Sequence, residues 1–270
     1  MRKLKVTVFT LLLSIPLFLL SGCVKNTKLV EKPIGDYLSE NYGIKNEDFK
    51  ILSAYNGFGV SDIQTYVEIK KPYHTLAILI VDKNSLEIDE NGSRDVFLEI
   101  FKGAYVEQHR DVLKQSDKIT KKYNLLSEFS FKKKNPNFYY YLHIDIDKQQ
   151  EKELIGNFKR DQKINTDNIM KMLKEDSKPR VQANYTGVIN FRYYYNTYKN
   201  SETVPNAQSI MDDFEKSHVL TEGIYKIAVQ TMYSSPNKTS VGGTDSRNNS
   251  VMFTVDEQGK FEILKTTVGS

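Results

Sequence analysis

The consecutive segments Ile63-Gln-Thr-Tyr-Val-Glu-Ile69, Lys70-Lys-Pro-Tyr73 and Thr75-Leu-Ala-Ile-Leu-Ile-Val81 decide the reading of the fold. The first alternates apolar and polar residues, the period of a strand with one face buried. The second breaks that run. The third is a continuous apolar run of strand length, suited to the middle of a sheet. Just upstream, Phe49-Lys-Ile-Leu-Ser-Ala-Tyr55 has strand composition, and Asn56-Gly-Phe-Gly59 reads as a turn. Three neighbouring strands with short turns predict an antiparallel meander. Before them, Ile34, Tyr37, Leu38 and Tyr42 recur at helical spacing, between Pro33 and a C-capping Gly43.

Downstream the period changes. Val96, Phe97, Ile100, Phe101, Ala104 and Tyr105 form a helical stripe, with Ser93 as the expected N-cap. A second helix is predicted from Arg110 to Tyr123. Lys132-Lys-Lys-Asn-Pro136 is a basic turn and a candidate boundary. Beyond it, strands are predicted at 138–146, 181–195, 224–232, 250–255 and 261–266. Helices are predicted at 149–160, 166–175 (Thr166 as N-cap) and 207–218. The expected class is α+β, with mostly antiparallel sheets and helices packed on one face, in two similar-sized halves, 33–134 and 135–270. About 250 residues suffice to bury a full core.

The N-terminus carries a different signal. Arg2, Lys3 and Lys5 precede the apolar run Val6–Leu20, whose 15 residues are interrupted by Pro16. That length suits a cleavable secretory segment and falls short of the roughly 20 residues of a spanning helix. Leu20-Ser-Gly-Cys23 resembles the lipobox of bacterial lipoproteins, which implies cleavage after residue 22 and a diacylglycerol thioether on Cys23. Two acyl chains, at about 0.8 kcal/mol per buried methylene, anchor stably. Residues 1–22 then form the signal peptide and 23–32 a lipidated tether. The expected location is the outer face of the cell membrane. Removing the signal takes away three basic residues and no acidic one, so the formal charge falls from +4 to +1. That balance argues against a nucleic-acid partner.

Chemistry-bearing motifs are sparse. In His143-Ile-Asp-Ile-Asp147, a strand of period two would put His143, Asp145 and Asp147 on one face, a candidate set for a divalent cation. The competing reading is a solvated edge strand. His74, His109 and His218 stand in no HExxH frame, and the chain has neither a G-x-S-x-G elbow nor a P-loop. Cys23 is the single cysteine, and acylation would remove it as a nucleophile. No catalytic residue and no cofactor are predicted. Two tyrosine clusters contribute Tyr139 and Tyr141, and Tyr193 and Tyr195, as candidate binding residues. Alternation along a strand is expected to turn at least one ring of each cluster outward, where it could stack on a sugar or a protein. Strand propensity explains the same clusters.

Val67-Glu68, Pro72-Tyr-His-Thr-Leu-Ala-Ile78, Val81-Asp82 and the Ile100–Tyr123 helical region resemble a family of uncharacterised lipoproteins from staphylococci and related Gram-positive bacteria. The resemblance implies a cell-envelope lipoprotein and supplies no catalytic residue. The functional expectation is a non-enzymatic binding or interaction protein anchored through Cys23, with a protein or envelope component as partner. The alternatives are the solute-binding lipoprotein of an importer and an envelope hydrolase using Asp145 or Asp147.

Overall fold

The computed structural model describes residues 27–56, 61–90, 95–126, 138–182, 188–198, 203–235, 238–240 and 249–267. The signal segment and Cys23 lie outside them. Helix α1 (Thr27–Tyr42) begins six residues before Pro33 and takes that proline within its length. It therefore includes residues 27–32, expected to be tether. Val30 is the reason: it is fully buried with Ile34 and Leu38, which extends the apolar stripe by one turn. Gly43 closes the helix as expected. Its φ of +69° is left-handed, and its N–H donates to the Ser39 carbonyl at 3.0 Å.

The meander is present. Strands β1 (Phe49–Asn56), β2 (Asp62–Ile69) and β3 (Thr75–Asp82) pair antiparallel in sequence order. Ile63, Thr65, Val67 and Ile69 of β2 are buried, while Tyr66 and Glu68 face out, as the alternation dictates.

Helix α2 (Val96–Gln108) is capped by Asp95, whose carboxylate accepts the Phe97 N–H at 3.1 Å; Ser93, the expected cap, lies outside the described residues. Val96, Phe97, Ile100, Phe101, Lys102, Gly103, Ala104, Tyr105 and Val106 are all buried. A helix apolar on nearly every side has to be covered on every side. It packs against β3 of the first sheet and the first strand of the second. Phe97 also meets Phe158 at 6.1 Å between ring centres. Truncating Phe97 to Ala would cost about 3–5 kcal/mol. Helix α3 (Arg110–Lys122) follows at once, burying Val112, Ser116, Ile119 and Thr120.

The second sheet has the order β4 (Leu142–Ile144), β5 (Ile189–Asn196), β6 (Gly223–Ser235), β8 (Ser250–Val255), β9 (Phe261–Thr267), with β7 (Lys238–Ser240) paired to the far end of β6. All pairings are antiparallel except β5 with β6, which are parallel. Helix α6 (Ala207–Ser217) makes that crossover. Helices α4 (Lys148–Asp161) and α5 (Thr166–Gln182) lie between β4 and β5 in sequence. Helix α5 begins where predicted, but Thr166 is not its cap: the Asn165 side chain accepts the Asn168 N–H at 3.1 Å. The class is α+β, with two mostly antiparallel sheets. One contiguous buried cluster runs from Val30 to Val255, so the two halves share a core.

Candidate functional site

Strand alternation builds the site. On β5, Ile189, Phe191, Tyr193 and Tyr195 are buried in the core. Asn190 and Arg192 therefore stand on the opposite face. Pairing then aligns His143 of β4 with Asn190, and Asn190 with Lys226 of β6. Arg192 aligns with Ala228 one step along. Asp145 lies just past β4, held by its N–H on the Val188 carbonyl at 2.9 Å. The result is a recess of about 370 Å³ lined by His143, Asp145, Asn190, Arg192, Lys226 and Ala228, with Ile144 and Phe191.

Burial pushes the Asp145 carboxyl above the usual carboxylate range, and the Lys226 ammonium partly offsets that. None of the ion pairs among the described residues uses Arg192. Its planar donors are thus available to an anion, which they can bind in bidentate fashion. Two cations, an imidazole and an amide surround a single carboxylate. The arrangement can hold a small anionic group better than a cation.

The predicted metal set does not assemble. Strand β4 ends at Ile144, so the period-two argument does not reach Asp147. Asp147 instead caps α4, its carboxylate accepting the Gln149 N–H at 3.0 Å. Among the described residues no group of three His, Cys, Asp or Glu side chains could hold a metal ion. His143 and Asp145 do share one recess, as the sequence suggested.

Three of the four candidate binding tyrosines are core residues. Tyr141, Tyr193 and Tyr195 are buried, and Tyr141 stacks on Tyr193 at 5.7 Å and 13°. The Tyr193 hydroxyl hydrogen-bonds the buried Ser116 hydroxyl at 2.8 Å. Residues 138–141 form a turn rather than a strand, with Tyr139 half-buried in the left-handed region at φ 50°. That turn ends the alternation expected to direct a ring outward. Among the described residues the exposed tyrosines are instead Tyr198 and Tyr233, in an edge-to-face pair at 5.2 Å.

One cluster resembles a nucleophile with its base. The Thr166 hydroxyl lies 2.9 Å from His109 Nε2, and Asp167 lies 3.3 Å from the same nitrogen. A catalytic triad needs its acid on the other ring nitrogen. The Thr166 hydroxyl also donates to Gln108 Oε1 at 2.8 Å, which leaves it to accept from His109. Gln108 Nε2 in turn donates to the Ile164 carbonyl at 2.8 Å. The cluster joins α2 to α5. His74 pairs with Glu68 at 2.9 Å, and His218 ends α6 at φ 52°.

Sequence reasoning missed Asn190, Arg192 and Lys226. The signal was local: two polar residues on the off-beat of Ile189–Tyr195, and one cation inside Ile224–Val229. Comparison with protein-family models, with curated proteins and with solved structures gives no match in any of the three. No described helix is long and apolar enough to cross a membrane.

Proposed function

We propose that the chain is a cell-envelope lipoprotein, fixed to the outer face of the membrane by lipid on Cys23, that binds a small anionic ligand without transforming it. The anchor rests on the charge, length, small residues and cysteine of 1–23. The binding role rests on one observation: Arg192 stands beside Lys226, Asn190 and His143 in a 370 Å³ recess. A volume of that size falls within the range of small-molecule sites. Membrane attachment leaves protein or envelope components bearing carboxylate or phosphate groups as the accessible partners, and no nucleic acid.

Calorimetric titration of the purified protein with a panel of small carboxylates and phosphates tests the binding role. Saturable binding to one class, weakened about tenfold or more in Arg192→Ala by loss of a charge-assisted hydrogen bond, is the expected result. Absence of any binding, or identical affinity in the variant, would remove the recess from consideration. Replacing Cys23 by Ala tests the anchor: it should abolish the lipid mass and release the protein from the membrane fraction.

A further inference from the structure

The second large concavity lies where the chain enters the fold. Thr27, Lys28, Glu31, Lys32 and Asp36 of α1 face Asn46, Phe49, Lys50, Ile51 and Lys70 across a groove of about 570 Å³. Lys28, Lys32, Lys50 and Lys70 are exposed. Lys32 is held by Asp36 in an i,i+4 pair, and Glu31 is the other acid on the groove. Four lysines against two carboxylates leave the rim net positive. Leu29, on the same turn as Lys28, is 43% exposed, which places an apolar side chain among the charges.

Chain reach turns this rim into a surface with a direction. Four residues link Cys23 to Thr27, and four residues span at most about 14 Å. The start of α1 is built into the core through Val30, so the helix cannot swing away to lengthen that link without unburying it. The electrostatic reach of an anionic surface is about 8–10 Å at physiological salt. A lipid on Cys23 therefore keeps the start of α1 within about 14 Å of the bilayer surface, a tether short enough for the lysine rim to settle into the field of its headgroups. Lysines near such a surface attract anionic headgroups.

We infer that the groove rim formed by Lys28, Lys50 and Lys70 is a membrane-facing surface that rests on anionic lipid headgroups and fixes the orientation of the body on the bilayer. The inference rests on the anchoring reading and is independent of the ligand recess. The intact lipid-modified protein, reconstituted in phosphatidylglycerol or in phosphatidylcholine vesicles, is exposed to an amine-acetylating reagent, and each lysine is followed by mass. Lys28, Lys50 and Lys70 should acetylate about fivefold more slowly on phosphatidylglycerol at low salt, the factor that one lysine–surface contact supplies. The difference should vanish near 1 M salt, where screening shortens to about 3 Å. Lys216 and Lys260, exposed on the second half, should not change. Equal labelling of the three rim lysines in both vesicles, with the lipid present on Cys23, overturns the inference alone. Slower labelling of a different set of lysines overturns it too, because the body then rests on another face. Absence of the lipid mass overturns the anchoring reading first, and the inference with it.

Discussion

Glu151 and Asp95 meet carboxyl to carboxyl where α4 and α2 begin. Asp95 caps α2, and Glu151, 5% exposed, lies in the first turn of α4. Burial first, and then the hydrogen bond and charge of Asp95, push the Glu151 carboxyl up to about 9, with Lys148 opposing weakly. Near neutral pH the site therefore keeps a proton that a solvated carboxyl would have lost. An acid whose pKa is raised by folding stabilises fully below its unfolded pKa, near 4.3, and loses that contribution as pH rises toward its folded pKa. Stability should fall between about pH 4.5 and 9. Glu151→Gln keeps a donor without a charge. Its melting temperature should exceed that of the parent at pH 8.5 and converge with it toward pH 4. Parallel curves for the two proteins across that range would refute the paired carboxyls.

Gly103 sets how closely α2 approaches β3. A Cβ there would lie 2.9 Å from the His74 carbonyl oxygen and 3.2 Å from Tyr73 Cβ. Backbone cannot give way as a flexible side chain can. Gly103→Ala should destabilise by about 1–3 kcal/mol, against the usual gain from alanine in a helix. Denaturant unfolding measures it, and a stabilised variant would show that the two elements are free to separate.

Tyr193 separates core from recess on one strand. Tyr193→Phe removes the hydroxyl that pairs with Ser116 and leaves a buried group unsatisfied, at about 1–3 kcal/mol. Arg192→Ala, one residue away on the other face, should leave the unfolding midpoint nearly unchanged and weaken ligand binding about tenfold or more. If Tyr193→Phe impaired binding more than stability, the assignment of faces on β5 would be reversed.

Among the described residues, Asp145 is the only carboxylate lining the recess. Asp145→Asn should tighten binding of an anion by about two- to tenfold, by removing a like charge at close range. Weaker binding in calorimetry would mean that the ligand presents a donor to Asp145.

His109 carries a second pH signature. Burial lowers its pKa although Asp167 opposes the shift. A base depressed in the folded state favours the neutral form, so its contribution is complete above the unfolded pKa near 6.5 and declines as pH falls below it. Thr166→Val should reduce stability by about 1–3 kcal/mol at pH 7.5, since Gln108 and His109 both lose their hydroxyl partner. A neutral effect would make the joint between α2 and α5 dispensable.

Local period made most of the fold legible. The β1–β3 meander, the stripe of α2 and the turn at Gly43 follow from spacing alone. Phe138-Tyr-Tyr-Tyr-Leu142 misled because an aromatic run has strand propensity at every position, and so carries no period to mark where the strand starts. Asp147 was readable as a cap, because Asp147-Lys-Gln-Gln150 fits the Asp-x-x-Gln pattern at a helix start. The recess was half legible. Alternation linked His143 to Asp145, but Arg192 and Lys226 reach them only through the parallel pairing of β5 with β6. Parallel pairing is a long-range event with no turn between the strands to announce it. The start of α1 was hidden because one buried valine, Val30, decides whether residues 27–32, four of them polar, belong to helix or tether.

Helix α2 needs cover from both sheets, and the chain supplies that cover at very different times. The first sheet precedes it in synthesis, whereas β5, β6 and β8 follow residue 188. A chain emerging N-terminus first holds Phe97, Phe101 and Tyr105 without their final neighbours until most of its length has arrived. Completing them requires contacts of large sequence separation, which slows the search. The native molecule should therefore unfold in one all-or-none transition despite its two sheets, and shortened forms ending before residue 188 should be prone to association.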